Sequence, residues 1–228
     1  MKRHKHSILA VLAALLWGSL SATPYRPVWE IGRKDGSAAE FALYDGAYSD
    51  LLGRFPGAAA AYDVGRSTPG EIPYILPGPQ DGWAGNGNGS LLIRFGADAQ
   101  ASRAEMRLTL YLVESQASSP PTIEISAGGF RTSVQAPAGA RGLAIEALLP
   151  AGTFGAGENL LTIRNAGGSW LVWDAIVLEA DRSVKCTRPG DGIALIGSHS
   201  QPGLIYGRTE GELLHPVTLT LVNWGKPQ

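Results

Sequence analysis

The chain has 228 residues, with 19 Lys and Arg against 20 Asp and Glu, and a single cysteine, Cys186. That length holds one domain of ordinary size with extensions. The charge balance excludes a nucleic-acid binder, which needs a cationic face to release counterions from phosphate, and one cysteine excludes an internal disulfide, so the core must hold by apolar burial.

Lys2, Arg3 and Lys5 precede a short apolar run at residues 8–16 (ILAVLAALL), and Gly18, Ser19, Ser21 and Ala22 follow as small residues. The run is too short to span a bilayer comfortably, and the pattern predicts a signal peptide over residues 1–22. The expected location is secreted or periplasmic, with no membrane attachment after cleavage. Removing those three cations from the 19 basic residues leaves 16 against 20 acidic ones.

From there on, glycine (30) and proline (15) punctuate short apolar runs, and sustained helical periodicity is nearly absent. SDLLGRF at 49–55 predicts one helical turn, stopped at Pro56. The segment 73–95 (PYILPGPQDGWAGNGNGSLLIRF) sets Trp83 in a Pro/Gly/Asn-rich loop just before a predicted strand at 90–96. In AEMRLTLYLVES at 104–115, Met106, Leu108, Leu110 and Leu112 alternate with Arg107, Thr109, Tyr111 and Val113, a long strand with one buried face. TIEISAG and FRTSVQA flank Gly128-Gly129, a hairpin signal because adjacent glycines accept the positive φ of a primed turn. GLAIEALLP, NLLTIRNAG and SWLVWDAIVLEA supply further strands. Strict alternation in the last puts Leu171, Trp173, Ala175 and Val177 on one face, with Val172, Asp174, Ile176 and Leu178 on the other.

Short strands separated by turn signals predict an all-β fold, a jelly-roll β-sandwich over residues 27–180. Residues 181–191 are predicted as a polar linker, and residues 192–228 as a short β-rich extension. An unpaired edge strand is an aggregation hazard. The extension is therefore expected either to pack back on the sandwich or to open a second, missing β-domain, and the second arrangement is preferred.

Four segments, in order, share a likeness. VWEIGRKDGSAAEF at 28–41 places Trp29, Ile31, Gly32, Asp35, Glu40 and Phe41 at the positions of a W-x-I-G-x-x-D-x-x-x-x-E-F pattern. YDVGRSTPGEIPYI at 62–75, LPAGTFGAGENLLTIR and VWDAIVLE follow. Together they resemble the carbohydrate-binding-like C-terminal domain of rhamnogalacturonan lyases, polysaccharide lyase family 4. The resemblance implies a jelly-roll module appended to a catalytic domain and associated with carbohydrate. In that family the lyase chemistry resides in a separate N-terminal β-domain, so no residue here is expected to inherit a catalytic role.

The residues themselves agree. His199 and His215 are the histidines after the leader, both outside the predicted sandwich, and no HExxH, P-loop or G-x-S-x-G motif occurs. A sugar module needs aromatic faces and a few polar groups that fix hydroxyls. Trp83 is a candidate stacking platform, with Asp81, Asn86 and Asn88 beside it in the loop. The alternative is that Trp83 folds inward as a lid over an open end of the core. Trp170 is a second candidate aromatic and Arg131 a candidate contact for an acidic sugar, whereas Trp29 and Trp173 are expected in the core. Glu40 and Asp174, near the first and last strands, are the candidate ligands of a structural calcium; the alternative gives them backbone and arginine partners. The expected partner is thus a pectic or other acidic polysaccharide, and the competing reading is a structural or interaction domain at the front of a larger secreted enzyme.

Overall fold

The computed structural model describes residues 24–46, 48–139, 141–190, 193–200, 207–209, 212–214 and 217–223. The predicted signal peptide and His215 lie outside these residues. No helix among the described residues is long and apolar enough to cross a membrane.

Among the described residues, fifteen strands run in chain order: β1 (Arg26–Gly32), β2 (Ala59–Asp63), β3 (Ile75–Leu76), β4 (Ser90–Ala97), β5 (Met106–Ser115), β6 (Thr122–Ala127), β7 (Phe130–Gln135), β8 (Ala144–Leu149), β9 (Gly157–Gly167), β10 (Leu171–Ala180), β11 (Cys186–Thr187), β12 (Ile193–Ser200), β13 (Gly207–Thr209), β14 (Glu212–Leu214) and β15 (Val217–Asn223). One sheet has the order β1-β10-β5-β8, with β3 also paired to β10. The other has the order β11-β4-β9-β6-β7, with β2 parallel to β4. The fold is the all-β sandwich that the alternating pattern predicts.

The inner faces meet in one apolar core. Trp29 packs edge-on to Phe95 at 5.7 Å, and Phe95 to Phe154 at 5.1 Å, linking the two sheets. Such pairs contribute about 0.5–1.5 kcal/mol beyond area burial. Trp173 is fully buried, and its indole N–H donates to the Pro73 carbonyl at 2.9 Å, so its one polar atom is satisfied. Both tryptophans are core residues, as expected. The predicted helical turn is α1 (Leu51–Arg54), and the β6–β7 hairpin turns at Gly128-Gly129 with positive φ at Gly128.

Two expectations are corrected. Strict alternation along β10 fails at Asp174. Trp173 faces Leu112 and Ala175 faces Tyr111, so Asp174 is an extra residue opposite none. A bulge of this kind resets the parity of the strand. Trp173 therefore shares its face with Ile176 and Leu178, which oppose Leu110 and Leu108. The second correction concerns residues 181–191, expected as a linker. Cys186 and Thr187 form β11, which pairs with Ala97 and Gly96 of β4. Beyond it, β12 pairs with β15 and lies against β2 and β4, so this part of the extension packs back on the sandwich.

Candidate functional site

Trp83 sits in a single 3-10 turn, Gly82–Ala84, closed by Gly85 in the left-handed region at φ +75°. The loop is tightly held. Asp81 is 4% exposed; one carboxylate oxygen accepts from the Gly78 N–H at 2.7 Å and the other from the Ser169 hydroxyl. Its carbonyl accepts from the N–H groups of Ala84 and Asn86. Asn86, at φ +55°, donates from its amide to the Pro79 carbonyl at 3.0 Å. The Gln80 N–H donates to the Gly168 carbonyl. A Cβ on Gly78 would come within 2.9 Å of the Asn165 side chain, and one on Gly89 within 2.5 Å of the Pro77 carbonyl oxygen. These glycines serve close packing rather than looseness.

The expectation that Asp81 faces a ligand is thus corrected: it is buried with both oxygens taken, and it builds the loop. Asn86 is exposed but its amide is partly spent on Pro79, and Asn88 is half-buried. Trp83 is half-buried against the core, and its ring meets Tyr48 edge-on at 5.0 Å. It therefore combines the two readings of the sequence, part lid and part surface. Trp170 is likewise half-buried against the core.

The most exposed aromatic faces at this rim are tyrosines that sequence reasoning missed. Tyr48 is 53% exposed and Tyr44 is 45% exposed. Tyr44 meets Tyr74 edge-on at 6.0 Å. Backbone bonds explain the placement: Ala42 donates to Ile72 and Tyr74 donates to Ala42, pinning the segment before Tyr44 to the one that carries Tyr74. Leu43, between them, holds φ +68°, a left-handed conformation that a bulky residue adopts only under constraint. Burial pushes the Tyr74 phenol up, with Tyr48 and Glu114 adding to the shift. Tyr44 and Tyr48 lie four residues apart, so one short segment carries a member of each aromatic pair. The signal available in the sequence was the i, i+4 spacing of Tyr44 and Tyr48 in YDGAYSD.

Arg131 lies elsewhere. It stands on β7 beside an open cleft of about 570 Å³ formed on β6, β7, β9 and the loop that carries Thr153 and Phe154. The two carboxylates proposed for calcium have backbone partners: Glu40 accepts from the Arg33 N–H at 2.7 Å, and Asp174 accepts from the Asp35 and Gly36 N–H groups at 3.1 and 2.9 Å. Glu40 closes the 33–40 loop on itself, and Asp174 fastens that loop to the β10 bulge. Among the described residues no group of three His, Cys, Asp or Glu side chains is placed to hold a metal ion.

No curated protein matches this chain at a significant level. Residues 27–178 match the family described as "CBM-like: Polysaccharide lyase family 4, domain III", a span that runs from within β1 to within β10 and takes in both sheets apart from β11. With two thirds of its length in that match and the sandwich to accompany it, the chain belongs to the CBM-like domain III family of polysaccharide lyase family 4.

Proposed function

We propose that this carbohydrate-binding-like module is exported and holds an acidic polysaccharide of the pectic type, with the Tyr44, Tyr48, Tyr74 and Trp83 patch as its stacking surface. The observation that carries the reading is two open phenol rings, each braced edge-on by a second aromatic ring that is packed into the domain. Sugar C–H faces stack on such rings, and bracing lowers the entropy lost on binding. The module brings no chemistry of its own in this reading. It keeps a polymer near whatever acts on it.

Calorimetry of the folded chain against a panel of pectic oligosaccharides tests this. Tyr48→Ala and Tyr44→Ala are expected to weaken binding by about threefold to tenfold each, the equivalent of one aromatic contact. Trp83→Ala is expected to weaken it further, because Tyr48 loses its brace. The half-burial of Trp83 and Trp170 favours a second reading, a scaffold domain that orients a larger assembly. A cooperatively folded protein that binds no glycan would select that reading.

A further inference from the structure

Near Tyr74 the structure places an acid with its own base: Glu114 adds to the rise of the Tyr74 phenol, and Arg141 is paired to Glu114 at 3.2 Å. An exposed cation sits on β7, the edge strand of the second sheet. Arg131 is 70% exposed, and its carboxylate neighbour Glu124 lies at 3.9 Å. Glu124 is held more closely by Arg164, at 3.3 Å to each of its oxygens. Glu158, the acid of the cleft, is engaged by Arg94 at 3.2 Å. The Arg131 guanidinium is therefore the least compensated charge of the cleft, with Ser126 opposite it and Thr162 opposite Ser126 in the sheet, while the Thr153 hydroxyl donates to the Pro150 carbonyl and is left to accept.

The cleft is also built. Asn159 accepts from the Gly155 N–H and donates to the Gly155 and Gly157 carbonyls, which fixes the loop forming one wall. The hairpin tip closes against the same loop: a Cβ on Gly128 would come within 2.9 Å of the Thr153 carbonyl oxygen. A volume of about 570 Å³ falls in the usual range for small-ligand sites and suits one or two sugar rings.

We infer that this cleft is a second saccharide subsite, specific for a uronate, in which Arg131 receives the sugar carboxylate while Ser126, Thr153 and Thr162 meet its hydroxyls. A guanidinium presents paired N–H groups that match a carboxylate bidentately. The inference rests on the module being a polysaccharide binder, but on a different surface from the aromatic patch. The cleft uses residues 158–162 of β9, whereas Asn165 and Gly168 pack against the Trp83 loop. Thr162 and Asn165 are three residues of strand apart, about 10 Å. One polymer engaging both would bind with more avidity than either site alone.

The test is an NMR titration of the chain with digalacturonate, its dimethyl ester and acetate. The expected result is shifts at Ser126, Arg131, Leu160 and Thr162 with the acid, about tenfold weaker binding of the ester, and the same loss in Arg131→Ala. Arg131→Lys should restore part of the affinity, and Tyr48→Ala should leave the cleft shifts in place. Equal binding of acid and ester, shifts confined to the aromatic patch, or acetate binding as well as digalacturonate would each overturn the cleft assignment. Neutral glycan bound at the patch with a silent cleft would defeat this inference and leave the stacking surface standing. Cleft binding with a silent patch would do the reverse.

Discussion

Removing the Asp81 side chain orphans the Gly78 N–H and the Ser169 hydroxyl together, and both lie in the seam between the Trp83 loop and the β9–β10 turn. A buried donor left without its partner costs about 1–3 kcal/mol. Asp81→Ala is therefore expected to lower stability by about 2–4 kcal/mol, read from urea unfolding. It should also free Trp83, seen as a red shift of tryptophan emission in the folded protein. Stability unchanged in this variant would mean that the loop is held by its glycine packing alone. Another residue-scale prediction concerns Tyr25, whose hydroxyl donates to Glu105 at 2.6 Å. That bond, then desolvation, pushes the phenol up to about 12 from its usual 10. The charged form of tyrosine is the deprotonated one, so the folded state holds the proton more tightly than the unfolded state. The stabilisation is complete below pH 10 and is lost as pH rises towards 12. An ultraviolet absorbance titration of the native protein should show late phenol steps, and Tyr25→Phe should remove one of them while leaving those of the raised Tyr62 and Tyr74 phenols.

The elements were legible in proportion to their own periodicity. β4, β5, β6, β7 and β10 each carry enough alternation, or enough continuous apolar length, to be read from the chain. β2 is Ala-Ala-Ala-Tyr-Asp, with small residues that show no period, and its parallel pairing to β4 is a tertiary decision. β11 was unreadable for another reason: a two-residue strand in a polar run owes its existence to Gly96. A Cβ there would stand 2.5 Å from the Thr187 carbonyl oxygen, so only glycine lets the two backbones close. Gly96→Ala should part β11 from β4 without touching the core. The expected outcome is faster amide exchange at residues 185–188 and a loss of about 1–3 kcal/mol from overpacking. Unchanged protection there would show that the Arg188 bond to the Gly65 carbonyl, at 3.3 Å, holds the segment unaided.

At the scale of the molecule, the rim was half legible. The sequence pointed to the Trp83 loop because Gly, Pro and Asn around a lone aromatic are visible locally, but the tyrosines that meet it come from separate segments joined only by the fold. The role of residues 188–228 was hidden in the same way, and it sets the last prediction. Among the residues whose burial is described, every member of the apolar core lies between Trp29 and Val184, and both sheets are complete at Thr187. Against this stands the cover that β12 lays along β2 and β4, beside the ion pair of Arg94 with Asp63 at 2.9 Å. Arg94 is 1% exposed. Uncovering it rehydrates two charges that remain paired, a small change because a buried pair recovers in solvation most of what it loses in attraction. The core term wins, and a chain of residues 24–190 should unfold cooperatively with a melting temperature within a few degrees of the longer chain, as expected for a change near 1 kcal/mol. It should keep the tyrosine patch and its glycan affinity, since the exposed rings of Tyr44 and Tyr48 are braced by Tyr74 and Trp83. A shorter chain that is soluble yet lacks a cooperative transition would make the extension part of the folding unit, with β12 a strand the sandwich requires.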